Sequence, residues 1–549
     1  MQRKLDLADI QGNIVRPYGR YGFPITRHMF FNIGNAAAGR NFIDQLRGQV
    51  TTSERWRGVD ENAGKDAPPR PLVCINVGLS FMGLYALGLP TRTLGNMPEE
   101  FIDGMAERWS ILGDSGSSAP DKWDPIWCDA RSTPDKQIHI WVSLNAPAKP
   151  DGSPIDELTT QTDWLRGIAA QSGGVTLLTG HKGPNPEWQD ASAIMVQDPD
   201  GPAGTKIPIA KEHFGFTDGI SDPAFAGQYE PAEEAMEVIG GGKFSPNDKN
   251  WEALATGEFI LGYVGEAQEL PPTAPPWSFM RNGTFMAFRK LHQKVGGFRA
   301  YISAQAEQFH RDGGASSVTA ASETLKAKMV GRWSNGIPLE VAATYEDSEA
   351  EAEKWKDIPA ILRKGPNRTS ADKARQLAFE IMLTNFRYAG DEQGARCPVS
   401  AHTRRANPRD ALDPTFGAPK AKPGSALSNR RRILRRGAPY GDSSQGDDSS
   451  EHGVIFMAIC SNLFRQFEFV QQQWVQYGAS FNVGNDTDPL IGLHGDGAKF
   501  VIPTDPAKDG VPFICPNIPQ FVETRGGEYF FLPSLTALRE IAQGSVDPT

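Results

Sequence analysis

Histidine and cysteine, the side chains most often recruited for metal chemistry, are scarce: nine histidines and five cysteines among 549 residues. The cysteines (Cys74, Cys128, Cys397, Cys460 and Cys515) are odd in number, dispersed and never in CxxC spacing. That argues against a disulfide framework or a zinc ribbon and fits a reducing compartment. No HxxxH or HExxH occurs, so a multi-histidine zinc site lacks its usual spacing. No window approaches the ~18 consecutive apolar residues that span a bilayer. The opening "MQRKLDLADIQGNIVRPYGR" also lacks the apolar core of a signal peptide. The expected location is cytoplasmic, away from membranes. A formal charge of −10 leaves no positive excess of the kind that broad nucleic-acid or anionic-membrane binding requires. No tandem repeat of fixed period is present.

What is there is ordinary for a globular protein: 39% hydrophobic and 22% charged residues, with 42 prolines and 57 glycines that predict many loops. The length suggests more than one domain. In the first 190 or so residues, strand-like and helix-like stretches alternate. "TRHMFFNIG" (26–34), "PLVCINVGL" (71–79), "KQIHIWVSL" (136–144) and "GVTLLTG" (174–180) read as strands, with helices over 36–50 and 155–171. In the third of these, Ile138, Ile140, Val142 and Leu144 alternate as in a half-buried strand. Ser80 stands where the N-cap of "SFMGLYALGL" belongs.

In the second half, "GEFILGYVG" (257–265), "NGTFMAFRKL" (282–291), "GVIFMAICS" (453–461) and "GEYFFLPSL" (527–535) read as strands, with a helix near 295–310. Leu463, Phe467, Val470, Trp474 and Tyr477 form the apolar stripe of a further helix, with Gly478 at its C-cap position. "EDSEAEAEKWKD" (346–357) reads as an acidic solvated insertion, and 407–429 and 441–453 as turn-rich loops. Strands with helices between them predict an α+β protein.

Two short stretches invite chemistry. "HFGFTDGISDP" (213–223) sets Asp218 between glycines that permit positive φ and close backbone approach, although an Asp–Gly turn is also the commonest solvated turn. "CPVSAHTRRANPRD" (397–410) holds His402 between prolines and beside Arg404, Arg405 and Arg409. An imidazole on such a loop suits haem iron, and guanidinium groups suit propionates. The alternative is a loop histidine among surface arginines. His28 and His139 sit in strand patterns and read as ordinary strand residues. "NRRRILRRGAPYGD" (429–442) packs five arginines into seven residues, a pattern that also occurs in nucleic-acid patches. An arginine beside a peroxide-binding iron would instead stabilise charge on the departing oxygen.

"GFTDG" (215–219), "CPVSAHTRRANPR" and "RRILRRGAPYG" together resemble, in order, the signature stretches of the dye-decolourising haem peroxidases. "DIQGNIV" (9–15), "LPPTAPPWSFMRNGTFMAFRKL" (270–291), "MVGRWSNGIPL" (329–339), "RQFEFVQQQW" (465–474) and "GGEYFFLPS" (526–534) extend the resemblance over nearly the whole chain. The length resembles the larger subgroups of the family.

The resemblance implies two ferredoxin-like halves of the dimeric α+β barrel type, with antiparallel sheets and haem held mainly by the C-terminal half. The boundary falls after the GFTDG element, giving 1–225 and 226–549. It implies one haem b per chain, with His402 as axial ligand of the iron, Asp218 as acid–base residue on the peroxide side and Arg435, rather than Arg436, as its arginine. His213 and Arg409 resemble residues at the haem propionates. Glu468 resembles the acid that hydrogen-bonds the ligating imidazole, and Val454 and Phe456 resemble a dry wall on the peroxide side. The implied activity is oxidation of bulky aromatic donors, dyes and phenolics, by hydrogen peroxide in one-electron steps through an oxyferryl species. A homo-oligomer stays open. So does the alternative of a haem-binding or haem-handling protein with incidental peroxidase activity.

Overall fold

The computed structural model describes residues 5–547 apart from 61–62, 132, 245–249, 414–425, 445 and 506–509. Part of the loop reading over 407–429, and residue 445 within that over 441–453, lie outside the described residues. Ten strands form the principal sheet: β1 (Ile25–Ile33), β2 (Cys74–Leu79), β3 (Ile140–Ala146), β4 (Val175–Leu177), β5 (Gln189–Ser192), β6 (Thr284–Gln293), β7 (Leu434–Arg435), β8 (Ala438–Gly441), β9 (His452–Cys460) and β10 (Val522–Leu532). Their order is β7-β9-β6-β10-β2-β3-β1-β4, with β8 beside β9 and β5 beside β1. Every pairing is antiparallel. The N-terminal and C-terminal strand sets meet at a single ladder position, Phe531 opposite Leu79.

The two sets also pack face to face. Phe30 of β1 lies 5.5 Å from Phe288 of β6 and 6.2 Å from Phe530 of β10, ring centre to ring centre. This is why β3 is buried at all seven positions. The alternation in "KQIHIWVSL" predicts one wet face, but the partner set occupies that face. The helices cover the outer sides: α1 (Ala36–Arg47) and α2 (Asp156–Ser172) belong to the first half, and α3 (Val295–Arg311) and α4 (Val318–Val330) to the second. Side-chain caps open α1 and the short helix after β2, the second of them at the Ser80 read from the sequence. Asn35 accepts from the Ala38 amide at 2.8 Å, and Ser80 accepts from Gly83 at 3.0 Å at the start of Phe81–Ala86.

Gln11 of "DIQGNIV" ties the halves together. Its Nε2 donates to the carbonyls of Val77 and Pro533, both at 2.8 Å, and its Oε1 accepts from the Val77 amide.

Three expectations change. Residues 257–265 are a buried loop, because the Gly257 amide bonds back to the Val264 carbonyl and a Cβ at Gly257 would lie 2.2 Å from the Tyr263 oxygen. Residues Tyr345–Lys354 form a helix, opened by a capping box between Thr344 and Asp347. The stripe after β9 is wound as π-turns over Phe464–Glu468 and Val470–Val475. That wider winding leaves Tyr477 54% exposed while Leu463, Phe467, Val470 and Trp474 stay buried, and Gly478 keeps φ −93° instead of a left-handed cap. No described helix is long and apolar enough to cross a membrane.

Candidate active site

One face of the C-terminal strand set opens onto an interior cavity of about 330 Å³. Alternate residues of β6 (Arg289, Leu291, Gln293), β9 (Val454, Phe456) and β10 (Val522, Thr524) line it, following the two-residue period of a strand. Val454 and Phe456 thus both line the cavity. Phe214, Phe216, Val470 and Leu490 add apolar surface from loops and helices.

His402 opens a five-residue helix, His402–Ala406, and lines the cavity. Its Nδ1 lies 2.9 Å from Asp488 Oδ2. Asp488 has no exposed surface, and its Oδ1 accepts from the amides of Leu490 (2.9 Å) and Ile491 (3.0 Å). Burial alone would raise its pKa, yet the His402 imidazole and these donors hold it below the usual carboxylate value. A carboxylate can only accept, so Nδ1 donates to it. Nε2 then keeps its lone pair, and among the described residues it has no hydrogen-bond partner. Burial works against a charged His402, but Asp488 outweighs it and makes the imidazole more basic. This corrects the expectation for Glu468. That carboxylate accepts from Arg108 Nε (3.0 Å) and Nη2 (2.7 Å) and from the Tyr529 hydroxyl (2.8 Å), all away from His402.

Asp218 and Arg435 line the same cavity, with Arg435 Nη1 at 2.7 Å from Asp218 Oδ1. The Gly219 amide donates to the same oxygen at 2.6 Å, which leaves Oδ2 without a partner among the described residues. The side chains are 48% and 40% accessible, but the surface they show faces an internal cavity, and both groups are deeply enclosed. Enclosure pushes the Asp218 pKa up; Arg435, the Gly219 amide and His402 together overcome it and bring it below the usual value. Gly215 (φ +97°) and Gly219 (φ +77°) are both left-handed, and a Cβ on either would meet nothing within 4 Å. The glycines around Asp218 thus supply a backbone conformation that L side chains rarely adopt. Arg436 turns the other way, to Asp222 at 2.9 Å and to the carbonyls of Asn13 and Ile14, so of these two neighbours only Arg435 lines the cavity.

Cation balance shows what the cavity suits. Arg332, Arg409 and Arg432 line it, yet they donate to the carbonyls of Gly336 and Leu383, of Thr384 and Phe386, and of Gly241 and Gly242, respectively, and Arg409 also to the Ser221 hydroxyl. No carboxylate among the described residues pairs with any of the three. Burial pushes Arg332 and Arg432 down to about 9 and lowers Arg409 as well. Buried cations without counter-ions are costly unless a bound anion completes them. A flat apolar ring system with two carboxylates and an iron fits this arrangement: apolar walls, unpaired guanidinium groups and a free imidazole Nε2.

Other expectations change here. His213 does not line the cavity; its Nδ1 bonds Ser443 Oγ and its Nε2 the Tyr440 carbonyl, both at 2.9 Å, so neither nitrogen is left for a propionate. Arg404 and Arg405 hold loops, through Asp391 and Cys397 and through the carbonyls of Ser400, Trp474 and Asp486. In the basic stretch, Arg431, Arg432, Arg435 and Arg436 are all committed to internal partners, which removes the nucleic-acid patch. His28 is a buried strand residue that accepts from Trp141 Nε1 at 3.2 Å. His139 sits just ahead of β3 and accepts from the Ile33 amide. Asp488, Arg332 and Arg432 escape sequence reasoning: Asp488 lies 86 positions from His402, and no spacing links them.

Known proteins are similar to this chain over most of its length. The DyP dimeric alpha+beta barrel domain matches residues 9–145, ahead of the site. Peroxidase 2 of Mycetinis scorodonius is 27% identical over 97% of this chain and 87% of its own length. The multifunctional dye peroxidase DyP2 of an Amycolatopsis species is 29% identical over 97% and 96%. The crystal structure of a fungal DyP-type peroxidase from Auricularia auricula-judae superposes with a TM-score of 0.68 at 25% identity, covering 98% of this chain and 100% of that one. The matched barrel domain and these relatives agree: over nearly its whole length the chain is similar to dye-decolorizing peroxidases.

Proposed function

We propose that this protein is a haem peroxidase that uses hydrogen peroxide to oxidise bulky aromatic donors, dyes and phenolics, one electron at a time. The observation that carries this reading is His402, held by buried Asp488 with Nε2 turned into a cavity that also contains the Asp218–Arg435 pair.

One haem b per chain would be held by His402 Nε2 at the iron and by Arg332, Arg409 and Arg432 at the propionates. Bound there, it supplies an iron that binds peroxide and takes up two oxidising equivalents. Asp488 fixes the imidazole tautomer and strengthens the ring as a donor. Asp218 moves the proton. Its Oδ1 is occupied by Arg435 and Gly219, so Oδ2 takes a proton from the inner peroxide oxygen and delivers it to the outer one. Arg435 keeps Asp218 ionised and places positive charge where the departing oxygen becomes negative. Val454 and Phe456 keep bulk water away. Because Asp218 is held below the usual carboxylate pKa, its base form persists in acid, and the expected activity optimum is acidic.

The two halves at 1–225 and 226–549 and a cytoplasmic location belong to the same proposal; the latter is supported by five free cysteines. The test is the absorption spectrum of protein produced with haem, before and after one equivalent of peroxide, for wild type and His402→Ala. A wild-type Soret band that shifts with peroxide, and is lost or strongly altered in the variant, supports the proposal. A wild type that stays colourless refutes it.

A further inference from the structure

A second, larger cavity of about 680 Å³ lies outside the site described above. Its aromatic walls are Phe244 and Trp251, whose rings meet edge to face at 5.4 Å, and Phe386. The Trp251 ring is fixed by a bond from its Nε1 to Asn385 Oδ1 at 2.9 Å, and Asn385 is exposed, so the cavity reaches the surface. Phe386 is the one lining residue that the two cavities share among the described residues. It also carries the Arg409 guanidinium 3.9 Å above its ring. A molecule in the second cavity is thus one aromatic side chain away from the first.

The cavity carries uncompensated positive charge. Arg387 sits 4.5 Å over the Phe244 ring, and among the described residues it has no carboxylate or hydrogen-bond partner. Arg396 lies 3.5 Å from Glu340 and donates to the Gly390 carbonyl at 2.9 Å. Burial and neighbouring Asp391 push the Glu340 carboxyl up to about 7. Flat rings flanked by a free guanidinium match an aromatic anion: stacking takes the ring, and the guanidinium fork takes a carboxylate or sulfonate.

Resting on the peroxidase reading, we propose that this second cavity is a donor site for electron-rich aromatic anions, phenols or dyes that carry a carboxylate or sulfonate. The ring lies against Trp251 and Phe244, and its anionic group pairs with Arg387. The donor gives up one electron across Phe386 to the peroxide-oxidised centre. Its phenolic O–H bond breaks, the proton leaves through the open mouth, and the phenoxyl radical departs. One peroxide accepts the electrons and protons of two such phenols and becomes two waters.

The test is calorimetric titration of resting, haem-loaded protein with 9,10-anthraquinone-2-sulfonate, which is not turned over. Wild type should bind one equivalent. Arg387→Ala and Trp251→Ala should each weaken binding about tenfold, the scale of one charge-assisted contact, and Arg387→Lys should restore most of it. In turnover, Arg387→Ala should raise KM for 4-hydroxybenzenesulfonate similarly, leaving KM for peroxide and the Soret response unchanged. Absent binding, affinities unchanged in both variants, or an unmoved donor KM would each overturn the proposal. The titration needs no turnover, so a wild type that binds the sulfonate but shows no Soret response to peroxide would refute the peroxidase reading separately.

Discussion

Asp488 partners His402 while Glu468 is held by Arg108 and Tyr529, and replacing each by its amide separates the two roles. In Asp488→Asn, one amide atom must face Nδ1 and the other the Leu490 and Ile491 amides, which lie at 2.9 and 3.0 Å. Those two N–H groups require an oxygen, so the new NH2 turns toward His402. It can only donate, which drives the imidazole proton from Nδ1 to Nε2, the nitrogen that would bind iron in the proposed haem site. Losing such a partner typically costs 10–100-fold in metal affinity or activity, or about 1.4–2.8 kcal/mol. Glu468→Gln leaves that tautomer alone. It disrupts the bidentate pair with Arg108 and the bond from Tyr529, and breaking a buried pair costs about 3 kcal/mol of stability. The assays are haem affinity and Soret position for the site, and urea unfolding for the fold. Asp488→Asn should weaken haem binding by at least tenfold, while Glu468→Gln should lower the urea midpoint with an unchanged Soret band. The reasoning is refuted if Asp488→Asn retains wild-type haem affinity and spectrum, or if Glu468→Gln alters the spectrum first.

Arg435→Leu removes the main charge that opposes the enclosure of Asp218, so the Asp218 pKa rises and the base form is lost at higher pH than in wild type. The acid limb of the peroxide reaction, followed by stopped-flow at the Soret band, should move toward neutral; a limb that stays in place would clear Arg435 of this role. His28 is buried and its pKa is lowered to about 3. The unfolded chain binds its proton near pH ~6.5 and the folded chain does not, so stability is full above that pH and falls as pH drops toward 3. The slope is about 1.4 kcal/mol per pH unit for one such group. His28→Phe should flatten the urea midpoint between pH 6 and 4 relative to wild type, and equal slopes would contradict the assignment.

Much of the site was legible because its chemistry sits in short stretches. Asp218 between left-handed glycines, His402 after its proline-bounded turn and Arg435 ahead of "APYG" are local patterns, and all three side chains reach one cavity. Strand identity was legible wherever runs were long, as in β1, β6 and β9. It failed at 257–265, where an apolar run is a buried loop closed from Gly257 to Val264. A short apolar run says only that the segment is buried, not which backbone shape buries it.

What the sequence by itself determined is therefore the α+β class, the Ser80 cap and three residues, Asp218, His402 and Arg435, that line one cavity. Tertiary structure alone decided which charges meet. Asp488 reaches His402 across 86 positions, Glu468 is taken up by Arg108, and Arg332, Arg409 and Arg432 converge with only neutral partners. The reason is physical. Caps and strand periods depend on neighbours along the chain, whereas neutralising a buried charge depends on whichever group the fold brings within about 3 Å, and sequence separation sets no limit on that distance.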